Sequence, residues 1–158
     1  MKKEKTCKIV FSDIDGTLLT SDGQITEGTK EMILNLEKKG IPFILTSARS
    51  PEGVRVIKRM LGNHAPIIAF CGGLILDNDG NEIYSKMIPL KRALELKAML
   101  DKDFPAVACN TFGGEKWIVD DREDWREQRE EKIVGFPAEI GSIKDTFETE
   151  DGIHKFLL

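Results

Sequence analysis

The sequence predicts an α/β fold built on a parallel sheet, and three observations carry that prediction. An apolar run of β-formers, Lys8-Ile9-Val10-Phe11-Ser12-Asp13, ends in a turn-forming Asp15-Gly16-Thr17. Two more apolar runs, residues 41–46 and 66–71, follow at intervals that each hold one amphipathic helical stretch. Strand, helix, strand, helix, strand is the order that lays helices over a parallel sheet.

Each element has its own local signals. Ser21-Asp22-Gly23 is a tight-turn signal after the first strand. Thr26 is a good N-cap for a helix through Lys39, with Met32, Ile33 and Leu36 on one face and Gly40 as its stop. Ser50 and Pro51 make a helix start, cap then first position, with Val54, Ile57 and Leu61 as the buried stripe. The runs at 74–76 and 82–84 flank Asp77-Asn78-Asp79-Gly80-Asn81, a β-hairpin signal rather than a metal site. From about residue 86 the character changes. Pro89 opens a helix to about residue 101. Strands are expected at 106–110 and 116–120, around Gly113-Gly114, and a closing strand at 153–158. The charged run from Asp124 to Lys132 reads as a solvated helix face.

Composition bounds the function. The chain has 158 residues, 41% hydrophobic and 32% charged, with a net charge of -4. Those values suit a globular chain with enough length for a core. The mild acidity gives no reason to expect nucleic acid or an anionic membrane as partner. Cys7, Cys71 and Cys109 are odd in number and widely spaced, which suits reduced thiols in a cytoplasmic protein. Of these, Cys71 is expected to be a buried structural residue. The charged residues 1–5 resemble neither a signal peptide nor a membrane span.

The chemistry concentrates at Asp13 and Asp15. Alternation along a strand sends both carboxylates to one side where the strand runs out, the end at which open α/β sheets bind ligands. Gly16 permits the sharp turn and Thr17 adds a hydroxyl. A hard cation such as Mg²⁺ takes one or two carboxylates plus substrate phosphate, and a carboxylate facing a phosphoryl group can attack it. A calcium loop would need its glycine at the sixth position and a distal Glu between helices, whereas here a strand precedes and the glycine comes fourth. Ser47, on the next strand-to-helix loop, is placed to hold a phosphate oxygen with nearby backbone N–H groups.

Asp13-Ile14-Asp15-Gly16-Thr17-Leu18-Leu19 resembles the first motif of the haloacid dehalogenase-like (HAD) phosphohydrolases, Asp-x-Asp-Gly-Thr-Leu-Leu. The resemblance implies Asp13 as nucleophile, Asp15 as general acid/base, and Mg²⁺ on the Asp13 carboxylate and the Asp15 main-chain carbonyl. Ser47-Ala48-Arg49 looks like the second motif, Thr-Gly-Arg in the Cof-type branch. It implies phosphate contacts from the Ser47 hydroxyl and from the N–H groups of Ala48 and Ile14, beside Gly16 and Thr17. Cys71-Gly72-Gly73 stands where that branch has Asn-Gly-Ala and departs from it. The resemblance further implies residues 1–85 as the N-terminal half of a Rossmann-like HAD core and 86–158 as the start of an α/β cap. Trp117, Trp125 and Phe112 fall in that cap, where packing against the core is favoured over lining a substrate face. Helical caps inserted after the first motif serve phosphonatase and dehalogenase chemistry, and residues 19–26 leave no room for one.

The implied activity is therefore Mg²⁺-dependent hydrolysis of small phosphorylated metabolites, such as sugar phosphates, through an aspartyl-phosphate. The family's third and fourth motifs, a lysine and a Gly-Asp-x-x-x-Asp-type acidic loop, do not occur downstream of the cap segment. The alternative is a truncated, inactive chain, or one half of a split enzyme, serving as a binding or assembly module. Either way, residues 9–11 are expected to form an exposed apolar edge, so a homo-oligomer or a complementing second chain is the expected partner.

Overall fold

The structure is a computed structural model that describes residues 7–148 and 152–158; the charged stretch at 1–5 lies outside them. The first half forms the expected sheet. Strand β1 (Val10–Asp13) pairs in parallel with β2 (Phe43–Thr46), and β2 in parallel with β3 (Ile67–Ala69). The hairpin β4 (Leu74–Leu76) and β5 (Glu82–Ser85) continues it antiparallel, giving the order β1-β2-β3-β4-β5. Its turn is fixed by the Asp77 carboxylate, which accepts the N–H groups of Asp79 and Asn81.

Helices α1 (Glu27–Lys38) and α2 (Pro51–Leu61) make the crossovers, and their ends follow the sequence signals. The Thr26 hydroxyl accepts the Thr29 N–H at 3.2 Å, and the Ser50 hydroxyl accepts that of Gly53 at 3.4 Å. Ile33, Val54, Ile57 and Leu61 are buried against β2, β3 and β4. Such burial contributes about 1.5–3 kcal/mol per large side chain, which is what holds these short strands.

The third strand is shorter than the 66–71 expected. It stops at Ala69, and Phe70 and Cys71 take positive φ values of 50° and 55°. Neighbouring backbone forces the turn. The Phe70 N–H donates to the Arg49 carbonyl at 3.0 Å, and the Cys71 N–H donates to that of Ser47 at 2.9 Å. Non-glycine residues hold such angles only where their surroundings impose them. Cys71 is thereby exposed, against the buried role expected of it, while Cys109 is buried.

Beyond Ser85 the chain leaves this sheet. Strand β6 (Ile88–Pro89) runs straight into helix α3 (Leu90–Asp103). Strands β7 (Asn110–Gly113) and β8 (Lys116–Val119) form a hairpin, followed by α4 (Trp125–Val134), β9 (Glu139–Ile140) and α5 (Ile143–Thr146). Strand β10 (Gly152–Ile153) pairs with β6, and β11 (Lys155–Leu157) completes a second sheet of order β11-β7-β8-β9. Three expectations change here. The strand expected at 106–110 begins only at Asn110, because Phe112 must face Trp117 across the hairpin, ring centroids 5.3 Å apart. The closing strand at 153–158 is split at His154, whose ring stacks on Phe70 at 5.0 Å. Helix α4 is not solvated throughout, since Glu127 is 2% exposed beneath it.

Phe112 and Trp117 join the first half's core through Phe70, whereas Trp125 is 67% exposed. At the other border of the molecule β1 is an edge strand, with Ile9 and Phe11 exposed. Among the described residues no helix is long and apolar enough to cross a membrane.

Candidate active site

Register decides which groups meet. Asp13 is the Cα partner of Thr46 in the parallel β1–β2 ladder, so the turn after Asp13 and the loop starting at Ser47 emerge side by side at the carboxyl ends of adjacent strands. The turn is closed by the Ile14 carbonyl, which accepts the N–H groups of Thr17, Leu18 and Leu19 at 3.5, 3.0 and 3.1 Å. Ile14 itself is fully buried and anchors the turn. Gly16 sits at φ 74°, with open space where a Cβ would project, so the requirement is one of backbone conformation. Asp13, Asp15, Gly16 and Thr17 all face solvent. Asp15 lies past the end of β1, so the turn and not strand alternation aims its side chain.

The second loop is held differently. Ser47 is 4% exposed, its N–H donating to the Ile68 carbonyl and its own carbonyl accepting the Cys71 N–H. Its hydroxyl accepts the Arg49 N–H at 3.1 Å, a compact turn that leaves Ala48 projecting outward and exposed.

Arg49 joins the two loops. Its guanidinium donates from Nε to Asp15 Oδ2 at 2.9 Å and from Nη2 to Asp15 Oδ1 at 2.7 Å, a two-pronged pair with planar complementarity. The bond to Asp15 pushes the Arg49 pKa up against the opposing effect of burial. Arg49 was visible in the sequence as part of the second motif, but its partner was not. Lys155 was missed altogether. It comes from β11, and its Nζ donates to the Ala48 carbonyl at 3.2 Å while lying 5.6 Å from the centre of the Phe112 ring.

The donors for a cation are few. Among the described residues no group of three or more His, Cys, Asp or Glu side chains is gathered as a metal cage. Arg49 occupies both Asp15 oxygens, which leaves the Asp13 carboxylate and main-chain carbonyls such as that of Asp15. One exposed carboxylate with a carbonyl suits Mg²⁺, which keeps several waters and shares its shell with substrate phosphate. It does not suit Zn²⁺, which wants nitrogen or sulfur ligands.

A carboxylate at the mouth of a parallel sheet, beside a hydroxyl-bearing strand-to-helix loop, places the chain among α/β proteins whose ligands meet the carboxyl ends of the strands. The sequence model of the haloacid dehalogenase-like hydrolases matches residues 10–158, and the chain belongs to that family. A Haemophilus influenzae protein provisionally named a phosphatase is 36% identical over 124 residues, covering 73% of this chain and 47% of its own length. The phosphoglycolate phosphatase of Thermoplasma volcanium is 38% identical over 74 residues, covering 47% of this chain and 33% of its own. The chain thus spans less than half the length of these relatives. Its fold matches a haloacid dehalogenase-like hydrolase from Bacteroides thetaiotaomicron with a TM-score of 0.81 at 19% identity, over 92% of this chain and 56% of that one. A second match, to a family member from B. subtilis, has a TM-score of 0.72 at 23% identity, over 92% and 58% of the two chains.

Proposed function

We propose that this chain carries the nucleophile half of a Mg²⁺-dependent phosphatase for small phosphorylated metabolites, sugar phosphates among them. The observation that carries the reading is the Asp13–Thr46 register pair, which sets the Asp13 turn beside the Ser47–Ala48 loop. Family membership and the phosphatase names of the relatives support it.

In this reading an Asp13 oxygen attacks phosphorus and the bond to the leaving oxygen breaks, giving an aspartyl-phosphate. Asp15 gives its proton to the leaving oxygen, then takes one from the water that attacks the same phosphorus and frees Asp13. Both Asp15 oxygens are engaged by Arg49, so that pair opens before Asp15 can transfer a proton. The Ser47 hydroxyl and the N–H groups of Ile14, Gly16, Thr17 and Ala48 are the candidate phosphate donors. Mg²⁺, held by Asp13 and the Asp15 carbonyl, would offset the charge of the phosphoryl oxygens. Three free thiols support a reducing, cytoplasmic setting, which cell fractionation checks.

The test is Mg²⁺-dependent phosphate release from an aryl phosphate by the wild type and Asp13→Asn. Activity that falls about 10³-fold or more in the variant is expected from loss of a nucleophile. Equal release by the two proteins would remove Asp13 from the chemistry.

A second reading concerns assembly, and the exposed Phe11 and Ile9 on the β1 edge favour it. We infer that this edge pairs with another copy of the chain or with a complementing chain. Phe11→Lys should lower the solution mass measured by light scattering; an unchanged mass would dismiss the edge as the contact.

A further inference from the structure

We propose that Lys155 is a substrate-contacting residue, delivered from the second sheet to bind the phosphoryl group held between the Asp13 turn and the Ser47–Ala48 loop. The inference rests on the phosphatase reading of that site and adds a residue that lies outside both of its motifs, residues 13–19 and 47–49.

Two cations reach the Ser47–Ala48–Arg49 loop. Arg49 is spent on Asp15, with both prongs of its guanidinium engaged. Lys155 has no ion pair among the described residues: its ammonium meets one carbonyl, that of Ala48, and the face of Phe112. An ammonium has three donors, so a single carbonyl leaves two unspent beside an exposed loop. A compact, strongly hydrated cation in that setting is a receptor for an anion. The Ala48 carbonyl it touches belongs to the residue whose N–H is a candidate phosphate donor, and Ser47 immediately precedes it.

The lysine is also held. His154, immediately before it, stacks on Phe70, accepts the Gly114 N–H on Nδ1 at 2.9 Å, and so has Nε2 free to donate to the Ser85 hydroxyl at 3.1 Å. The His154 N–H donates to the Phe112 carbonyl at 2.8 Å, and Lys155 pairs with Phe112 in the β11–β7 ladder. A side chain on a strand pinned at its preceding residue needs little reordering when ligand arrives. Phosphoryl transfer is accelerated mainly by positioning and charge stabilisation, so a cation at this point acts on the reaction itself.

The test compares wild type, Lys155→Met and Lys155→Arg in three measurements. These are the Kd for inorganic phosphate by calorimetry, kcat and KM on an aryl phosphate with Mg²⁺, and thermal melting. Lys155→Met keeps most of the stem over Phe112. It is expected to weaken phosphate binding by about 10- to 100-fold, as for loss of a charged hydrogen bond, with Lys155→Arg recovering part of it. A lowered melting temperature with phosphate affinity and KM unchanged would make Lys155 a strut between the two sheets and overturn the proposal. The two readings fail separately. Wild type and Asp13→Asn releasing phosphate equally would sink the phosphatase reading. An active wild type matched by Lys155→Met in both KM and phosphate affinity would sink only this one.

Discussion

The two loops of the site are built in opposite ways. The Asp13 turn is exposed along Asp13, Asp15, Gly16 and Thr17, with Ile14 and Leu18 driven into the core beneath it and Leu19 packed against that core. The Ser47 loop is buried at Ser47 and tied by backbone hydrogen bonds to Ile68, Phe70 and Cys71. β2 has strands on both sides and β1 on only one, which accounts for the contrast. A loop from an interior strand inherits rigid neighbours; a turn from an edge strand must be positioned by its own backbone and by whatever reaches across to it. Arg49 bridges the two loops through Asp15, whereas Lys155 reaches the Ser47 loop from the second sheet, at Ala48.

Substitutions in the two loops should therefore differ in kind. Asp13→Asn is expected to abolish turnover while leaving the melting temperature near wild type, because the side chain is exposed and unburdened by packing. Ser47→Ala should instead cost both properties: about 10-fold in phosphate affinity and about 1 kcal/mol of stability, since the Arg49 N–H loses its buried acceptor. Calorimetric melts beside phosphate titrations read both, and a Ser47→Ala protein of unchanged stability would erase the contrast between the loops.

A smaller effect tests the join between the sheets. Burial pushes the His154 pKa below its ordinary value of 6.5, against a weaker attraction from Glu82. As pH falls below about 6.5 the unfolded chain takes up that proton before the folded one, so the folded state loses stability. Above that value His154 is neutral in both states and the loss vanishes. Protonation of Nδ1 also forfeits the Gly114 hydrogen bond. His154→Phe should show a shallower fall in melting temperature between pH 7.5 and 5.5 than the wild type; parallel curves would place the acid sensitivity elsewhere.

The smallest expected change concerns Glu127. Its Oε2 is buried without a hydrogen-bond partner among the described residues, and burial pushes its pKa up. Glu127→Gln should stabilise the protein by about 1 kcal/mol at pH 7, where the native carboxylate bears the cost of desolvation. The gain should shrink as pH falls and the wild-type carboxyl becomes neutral. Denaturant titrations at pH 7 and at lower pH check both statements, and a destabilised variant would mean that the charge itself is used.

The helices of the first half were legible because their signals are local. Thr26, Ser50, Pro51 and Gly40 act within one turn of their own position, so no distant contact can override them easily. The strand ends were less legible. Phe70 and Cys71 look like strand residues and are bent out of the strand by hydrogen bonds to a loop some twenty positions away. His154 looks like part of one closing strand and is turned aside by a ring contact with Phe70.

By itself, the sequence determined the class of fold, the position of the candidate pair Asp13 and Asp15 at the end of β1, and the place of Ser47 on the following loop. Motif, cap and periodicity are short-range properties, readable from neighbouring residues. Only the tertiary structure decided that Asp15 is engaged by Arg49, that Glu127 is buried in a charged helix, and that Lys155 arrives at Ala48 from 107 positions away. Those are outcomes of packing between elements, and side-chain pairings set by packing leave no periodic trace along the chain.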